Sequence, residues 1–402
     1  MTGETRGRFK RWFWRPPRPH GDTIADRQVS FLELFYDLVY VAVISQAAHH
    51  LAEHVSVRGV TEFAVVFALI WIAWTNGSLY LELHGREDGR TRSMVFVQMG
   101  ILVLLAVFTA EATSGPAFAV VYASFQAVQA LLWSAVWRQD RRERPEFVAV
   151  TRGYATGMGV SVVVILATAF LPAGPRLAVW AGLAIAWILG IELLARGPRA
   201  SLNLGMTPTD SLVERFGLFT IIVLGEVVFG VVNGLSAADH DAKTITTGML
   251  ALWMGFGFWW IYFDLVGRRL PRNQGTAVAN WALSHLPITG SIAAAGAGMV
   301  SLIGHAPDAS TPTGTAWLLA GAVALGLLAL ILTERELEDA ERLVSVFGPL
   351  GLALTGGAAA ALGVGWLRPA PWLLALLLVA ILTTLWFFAV SRFLRADAWG
   401  EP

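Results

Sequence analysis

The sequence predicts an all-α polytopic membrane protein with about twelve transmembrane helices, arranged as two parallel six-helix repeats with both termini cytoplasmic. Three observations lead to this prediction. Of the 402 residues, 55% are hydrophobic and only 14% are charged, whereas about 25% of the residues are charged in soluble domains. The apolar residues are concentrated in stretches of about 20, the length that crosses a bilayer as a helix. The positive charges are divided unequally between the two sets of segments that connect the helices, one set on each side of the membrane.

About twelve apolar stretches follow one another, and each is expected to be a helix because lipid leaves an open sheet edge without partners. The first half of the chain contains 29–51, 60–83, 93–112, 117–137, 153–171 and 177–195. The second half contains 211–232, 244–266, 277–303, 315–332, 346–366 and 372–390.

The orientation is predicted from the connecting segments. Of the 29 Lys and Arg residues, only Arg58, Arg176, Lys243 and Arg368 lie at one set of helix ends. The others lie at the opposite set, which we call the arginine-rich ends. The positive-inside rule places the arginine-rich ends and both termini in the cytoplasm. We therefore expect a multi-pass protein of the cell (inner or plasma) membrane.

Five segments are predicted along the chain. They are a basic and aromatic cytoplasmic arm (1–28), a first six-helix repeat (29–196), a cytoplasmic linker (197–210), a second repeat (211–396) and a tail (397–402). The arm lacks the features of a signal peptide, and its mixture of arginine and aromatic residues is typical of segments that bind anionic lipid headgroups. Membrane lipids are therefore the predicted partners of the arm.

Composition excludes several kinds of function. Positive and negative side chains balance at 29 each, so no nucleic-acid partner is predicted. The chain has no cysteine, which excludes disulfides, thiolate metal sites and cysteine catalysis. No phosphate-binding glycine-rich loop is present, so an ATP-driven pump is not expected. We predict no cofactor.

An internal repeat is indicated when the sequence is compared with itself at an offset of about 181 residues. Residues 30–35 then fall on 211–216, and Tyr80 falls on Tyr262 at an offset one residue larger. Because each half contains six helices, the repeats are expected to be parallel, related by an axis along the membrane normal.

Three segments resemble signatures of the bacterial low temperature requirement protein A family. Residues 27–41 (RQVSFLELFYDLVYV) resemble its opening signature, residues 214–226 (ERFGLFTIIVLGE) its second, and residues 284–288 (SHLPI) a third. The resemblance implies a polytopic inner-membrane protein named for a growth phenotype in the cold. It implies no substrate.

A second similarity concerns residues 35–42 (FYDLVYVA). They look like the Phe-Ser-Asp motif that opens each six-helix repeat of the lysosomal and bacterial potassium channel family. Tyr36 replaces the serine of the motif, and Gly217 and Leu218 stand where the second repeat would carry Ser-Asp. The pore chemistry of those channels is therefore not transferred to this chain.

Two acids on the first predicted helix are candidate ion-binding residues. Glu33 and Asp37 stand four residues apart, so they share one helical face. Glu33 also has a structural explanation, because Ser30-x-x-Glu33 is a capping box, and Ser211-x-x-Glu214 repeats the pattern. Asp37 has no such explanation, and an acid inside a membrane span is by default a functional candidate.

Glu226 lies in the most apolar setting of any acid in the sequence, deep in the seventh span. It is a candidate for binding an ion or a proton, and its alternative is a protonated side chain in one interhelical hydrogen bond. The corresponding positions of the first half are Ser45 and Gln46, which are polar and do not titrate. The less favoured candidates for ion or substrate binding are Glu33, Gln46 and Glu214.

Two further polar residues are expected to shape the same cavity. His285 lies near the middle of the ninth span and is followed by Pro287, which frees a backbone carbonyl. Three roles are open for His285: it relays protons, it binds a substrate, or it is a hydrogen-bonded core residue. Asn76 interrupts the second span beside Gly77.

The segment His50-Leu-Ala-Glu53-His54 formally matches a zinc-binding pattern. It falls at the end of the first span without a third-ligand motif, so it is interpreted as a solvated helix end or an outward proton- or metal-sensing patch. We predict no metal site.

Together, these observations predict an integral membrane protein that is a secondary transporter or conducts ions or protons. Asp37 and Glu226 are expected in a cavity between the repeats. The alternatives are a membrane-embedded lipid-related enzyme and a structural or scaffold protein, with an enzyme the less expected class. The sequence names no ion or substrate, and it allows a homodimer.

Overall fold

The computed structural model describes residues 7, 9, 12–22, 27–86, 88–196 and 208–396. The predicted tail, most of the predicted linker and part of the predicted arm lie outside the described residues. Twelve α-helices occur in the described ranges: α1 (Phe31–Glu53), α2 (Val57–His84), α3 (Gly89–Thr109), α4 (Ala117–Glu143), α5 (Val148–Thr168), α6 (Ala173–Ala195), α7 (Asp210–Ala237), α8 (Ala242–Leu265), α9 (Gly275–Gly304), α10 (Thr313–Glu334), α11 (Val344–Leu367) and α12 (Pro371–Arg395).

All twelve helices are long enough and apolar enough to cross a membrane. The shortest has 21 residues and the longest 30, which corresponds to about 32 to 45 Å. Among the described residues, β pairing is limited to a single bridge between Pro271 and Leu337. The prediction of an all-α polytopic membrane protein is confirmed. The two parallel repeats and the cytoplasmic termini stay predictions.

The predicted N-cap residue is confirmed for α1 and is wrong for α7. Ser30 caps α1 as predicted. At α7 the predicted cap is wrong, because Thr209 has the extended backbone of a cap residue and its hydroxyl accepts the Leu212 N–H at 3.1 Å. Ser211 therefore lies within the first turn, and Glu214 is exposed.

The first compact unit, unit 1, comprises Met1–Val43 and Ala68–Thr207. Within it α4 packs against α3 and α5. Trp133 of α4 stacks on Tyr154 of α5 at a ring-centroid distance of 4.3 Å. These contacts place the polar side chains of α4 in the interior of the unit.

The second compact unit, unit 2, comprises Ile44–Phe67 and Pro208–Pro402. Its central helix is α9, which packs against α7 and α10. A Cβ on Gly230 of α7 would lie 2.5 Å from the carbonyl oxygen of Gly296 on α9. The small residues at this crossing therefore let two helix backbones approach closely.

Candidate functional site

Asp37 is a fully buried acid near the start of α1. Its exposed fraction is 0%, and its Oδ1 accepts a hydrogen bond from the Trp74 indole Nε1–H at 2.9 Å. The partner lies on α2, so two helices of unit 1 fix the carboxylate. A carboxylate within a membrane span is costly unless polar groups solvate it.

Hydroxyl and amide groups surround this acid in unit 1. We call Asp37, Trp74, Tyr36, Tyr40, Tyr122, Gln126 and Gln129 the Asp37 cluster. The Tyr36 and Tyr40 hydroxyls lie 3.1 Å apart, and Tyr40 is within electrostatic range of both Asp37 and Tyr122. Gln126 donates to the Tyr122 hydroxyl at 3.1 Å. The cluster therefore joins α1, α2 and α4 through polar side chains.

Several buried polar atoms of α2 and α4 in this part of unit 1 have no protein partner. Among the described residues, both amide atoms of Gln129 and the hydroxyls of Thr75 and Ser78 are buried without a hydrogen bond. An unsatisfied buried polar group costs about 1–3 kcal/mol. In native proteins such groups usually bind water or a ligand. This part of unit 1 is therefore suited to hold a polar species.

Asn76 belongs to the same region of α2. It is 3% exposed and lies between Thr75 and Gly77. Gly77 leaves room for two side chains there, because a Cβ would collide with the hydroxyl of Tyr36 and lie 2.9 Å from Nε2 of Gln129. The helix runs without a break through Asn76 and Gly77, and at this position side chains of α1 and α4 approach its backbone.

Glu226 lies in the interior of unit 2, well inside α7. Its side chain is 6% exposed, and Ser45 of α1 lies near its carboxyl group. The α9 backbone approaches at Gly296, where a Cβ would lie 3.1 Å from the carbonyl oxygen of Glu226. Ser45, which the sequence comparison aligned with Glu226, is therefore its neighbour, whereas Gln46 is exposed.

A groove runs along α7 and α8 beside this acid. Its volume is about 730 Å³, and its lining is made of aliphatic and aromatic residues, with Gly225 and Val227 flanking the position of Glu226. Trp253 and Phe256 contribute exposed aromatic rings. Glu226 itself does not line the groove.

His285 is a buried, hydrogen-bonded residue of α9. It is 1% exposed, and its Nδ1 lies 2.7 Å from the carbonyl oxygen of Trp281. Because a carbonyl only accepts, Nδ1 carries a proton, and in the neutral ring Nε2 accepts the Tyr262 hydroxyl at 3.0 Å. Both ring nitrogens are therefore occupied by protein groups.

Glu33 contacts different residues from those that contact the Asp37 carboxylate. It forms an ion pair with Arg27 at 2.7 Å, and Arg27 also pairs with Glu82 of α2. The two acids that share a face of α1 thus have different partners, a guanidinium and an indole. Glu33 helps to fix the segment that precedes α1.

Some buried charged side chains are not evident from the sequence. Arg215 was counted with the cytoplasmic connections, but it lies inside α7 and is 0% exposed. Glu334 lies just beyond the predicted stretch 315–332, yet it ends α10 and is 4% exposed. The apolar residues Phe216 and Phe219 after Arg215 are the sequence signal that this position continues the buried face.

The His50, Glu53 and His54 side chains approach one another at the end of α1. Their possible ligand atoms all lie within 4.8 Å, and His50 also lies 3.6 Å from a carboxylate oxygen of Glu62. Glu53 and His54 are exposed, and His54 Nδ1 bonds the carbonyl of His50 at 3.0 Å. The arrangement is compatible with a solvated helix end.

Comparisons with known proteins agree with the resemblance seen in the sequence. The family model described as "Bacterial low temperature requirement A protein (LtrA)" matches residues 28–387. The uncharacterized protein RA0937 of Rhizobium meliloti (strain 1021) is 28% identical over 295 residues, which cover 66% of this chain and 67% of that protein. The chain therefore belongs to the bacterial low temperature requirement A family and is a multi-pass membrane protein.

Proposed function

We propose that the protein transports or conducts a proton or a small cation across the cell membrane, as a secondary transporter or an ion-conducting protein. The observation that carries the proposal is the environment of Asp37. A fully buried carboxylate lies among hydroxyl and amide groups of three helices, and several buried polar atoms there have no protein partner.

A cation is the species that these groups suit best. Carboxylate, hydroxyl and amide oxygens are hard ligands that replace the hydration shell of a metal cation, and a carboxylate accepts a proton. Tyr36, Tyr40 and the amides of Gln126 and Gln129 supply neutral oxygens near a single negative charge. The indole of Trp74 keeps one carboxylate oxygen in place and leaves the acid on the helix face that bears the tyrosines.

Glu226 supplies a second buried acid within unit 2. Ser45 of α1 lies near its carboxyl group, and its backbone is in close contact with α9, so Glu226 stands where three helices meet. A change in the charge of Glu226 would alter the forces between these helices, because the charge of a carboxylate is only weakly screened in an apolar interior. We assign Glu226 the role of coupling proton or ion binding to helix movement.

Asn76 and His285 have supporting roles in this proposal. Asn76 extends the polar surface of α2 beside Gly77. His285 holds the Tyr262 hydroxyl and thereby joins α8 to α9. Neither residue supplies a negative charge, so we expect substitution of either to lower the rate of flux without abolishing it.

Flux in proteoliposomes tests the proposal. Purified protein is reconstituted, and proton, sodium and potassium gradients are imposed in turn. Asp37→Asn and Glu226→Gln keep the shape of the side chain and remove the charge, and we expect either change to abolish or strongly reduce flux. Glu192→Gln is the matched control, because Glu192 forms only a helix-end ion pair with Arg196.

Two results would contradict the proposal. The first is wild-type protein that shows no flux under any of the imposed gradients. The second is full flux in both the Asp37→Asn and the Glu226→Gln proteins. A loss of flux in the Glu192→Gln control would indicate that removal of any carboxylate impairs the protein, and would remove the support for a specific site.

A further inference from the structure

A large cavity lies at the arginine-rich end of unit 1. It is bounded by the start of α1, the end of α2, the start of α3 and the segment that precedes α1, and its volume is about 1020 Å³. Five arginines and one acid, Glu33, contribute to its lining. The cavity therefore concentrates positive charge, although the chain as a whole is neutral.

Two of these arginines are used by the protein itself. Arg18 is 4% exposed and donates to the carbonyl oxygens of Gly85, at 2.9 Å, and of Glu82. Arg27 is paired with the carboxylates of Glu33 and Glu82. Burial and the neighbouring charge of Arg27 hold the pKa of Arg18 below its usual value. These two side chains form the wall of the cavity.

The other three arginines keep donors available. Arg86 uses its Nε to bond the carbonyl oxygen of Pro16 at 3.0 Å, which leaves its two terminal nitrogens. Arg15 and Arg92 are exposed. In the ranges that the structure describes, none of the three forms an ion pair with a carboxylate. Guanidinium groups with free donors bind phosphate oxygens in bidentate geometry.

Aromatic side chains line the same cavity on the side of the membrane spans. Phe31 is 91% exposed, Phe35 50% and Phe96 58%. Phe31 is the first residue of α1, and Phe96 lies in the second turn of α3. The cavity thus lies where two membrane spans begin, with guanidinium groups next to exposed apolar rings.

We propose that this cavity binds the headgroup of an anionic phospholipid, with the phosphate held by Arg15, Arg86 and Arg92. The acyl chains lie along Phe31, Phe35 and Phe96. A free phosphate ion would use the guanidinium groups but leave the three exposed rings without a partner. The combination of both surfaces at a span boundary therefore favours a lipid over a soluble anion. The proposal does not depend on ion transport.

Native mass spectrometry of the delipidated full chain in detergent tests the proposal. The protein is titrated with phosphatidylglycerol, with phosphatidylcholine and, as a separate arm, with inorganic phosphate. We expect one phosphatidylglycerol molecule to bind preferentially. The triple variant Arg15→Gln, Arg86→Gln and Arg92→Gln is expected to weaken that binding by at least about tenfold, since each interfacial arginine contributes to the attraction of anionic lipid.

The matched control removes the same charge elsewhere in unit 1. Arg138, Arg141 and Arg142 are exposed arginines at the end of α4, and their change to Gln is expected to leave phosphatidylglycerol binding within twofold of wild type, about the precision of such titrations. Equal weakening in both triple variants would overturn the proposal, because it would show attraction by general charge. Equal binding of phosphatidylcholine, or binding of inorganic phosphate without any lipid preference, would also overturn it.

Discussion

The indole of Trp74 donates a hydrogen bond to the carboxylate of Asp37 at 2.9 Å, and both side chains are 0% exposed. The acid lies on α1 and the indole on α2, 37 residues apart in sequence. Because hydrogen bonds to charged groups contribute about 1.5–3 kcal/mol, this contact fixes the position of the only acid in the Asp37 cluster.

Replacement of Trp74 by Phe tests this contact. The change keeps most of the apolar volume and removes the donor, so we expect lower flux and a lower thermal midpoint in detergent. The loss of stability is expected to be about 1–3 kcal/mol, the cost of an unsatisfied buried group. Trp71→Phe is the control, because Trp71 is also buried on α2 but its Nε1 has no partner among the described residues. Equal losses in the two variants would contradict a specific role of the bond.

The crossing of α7 and α9 predicts opposite changes in stability when two glycines of α7 are replaced by alanine. A Cβ on Gly230 would lie 2.5 Å from the backbone oxygen of Gly296, whereas a Cβ on Gly225 would have no neighbour within 4 Å. Glycine in a helix is less favourable than alanine by about 0.5–1 kcal/mol. We therefore expect Gly225→Ala to raise the thermal midpoint and Gly230→Ala to lower it. The same sign of change in both variants would show that the two backbones do not approach as described.

The sequence predicted the helices well because membrane length and apolar composition leave few alternatives. The candidate acids Asp37 and Glu226 were found for the same reason, since charges inside apolar stretches are conspicuous. The neighbours Trp74 and Ser45 were not assigned, because which side chains meet is decided by the packing of helices distant in sequence. A one-dimensional pattern carries no information on that packing.

The errors of the sequence analysis have the same physical origin. Arg215 was counted with the arginine-rich ends and Glu334 was left outside the predicted span 315–332, because each stands near the end of an apolar stretch. Only Glu334 lies past its stretch, because α10 continues to this residue, whereas Arg215 lies within α7. The burial of both is decided by the packing around them. The cap of α7 was assigned to Ser211 because Ser211-x-x-Glu214 matches a capping box, whereas the backbone geometry identifies Thr209 as the cap.

The contact between Tyr262 and His285 gives a third prediction. Tyr262→Phe removes the hydroxyl that lies 3.0 Å from Nε2 of His285 and leaves that nitrogen buried without its partner. We expect a loss of stability of about 1–3 kcal/mol, measured as a lower thermal midpoint. Tyr154→Phe is the control, because Tyr154 is buried against Trp133 and no hydrogen bond of its hydroxyl is seen within the described residues. Equal effects of the two changes would show that the contact adds nothing.

His20 provides a prediction on pH dependence outside the membrane spans. Its ring is buried between His84, at a centroid distance of 5.3 Å, and Phe147, at 4.6 Å. Burial lowers the pKa of His20 to about 4. Among the described residues, neither ring nitrogen has a hydrogen-bond partner, and Asp140 accepts only the backbone N–H of His20.

The direction of the effect follows from the proton balance of His20. An unfolded histidine titrates near 6.5, so between about pH 6.5 and 4 the unfolded chain binds a proton that the folded chain excludes. Stability therefore falls as the pH is lowered through this window, by about 3 kcal/mol in total. In His20→Gln the thermal midpoint is expected to change less between pH 7 and 4 than in wild type. His240→Gln, which alters an exposed loop histidine, is expected to keep the wild-type curve. A His20→Gln curve parallel to that of wild type would show that burial of His20 does not contribute to the acid sensitivity of the fold.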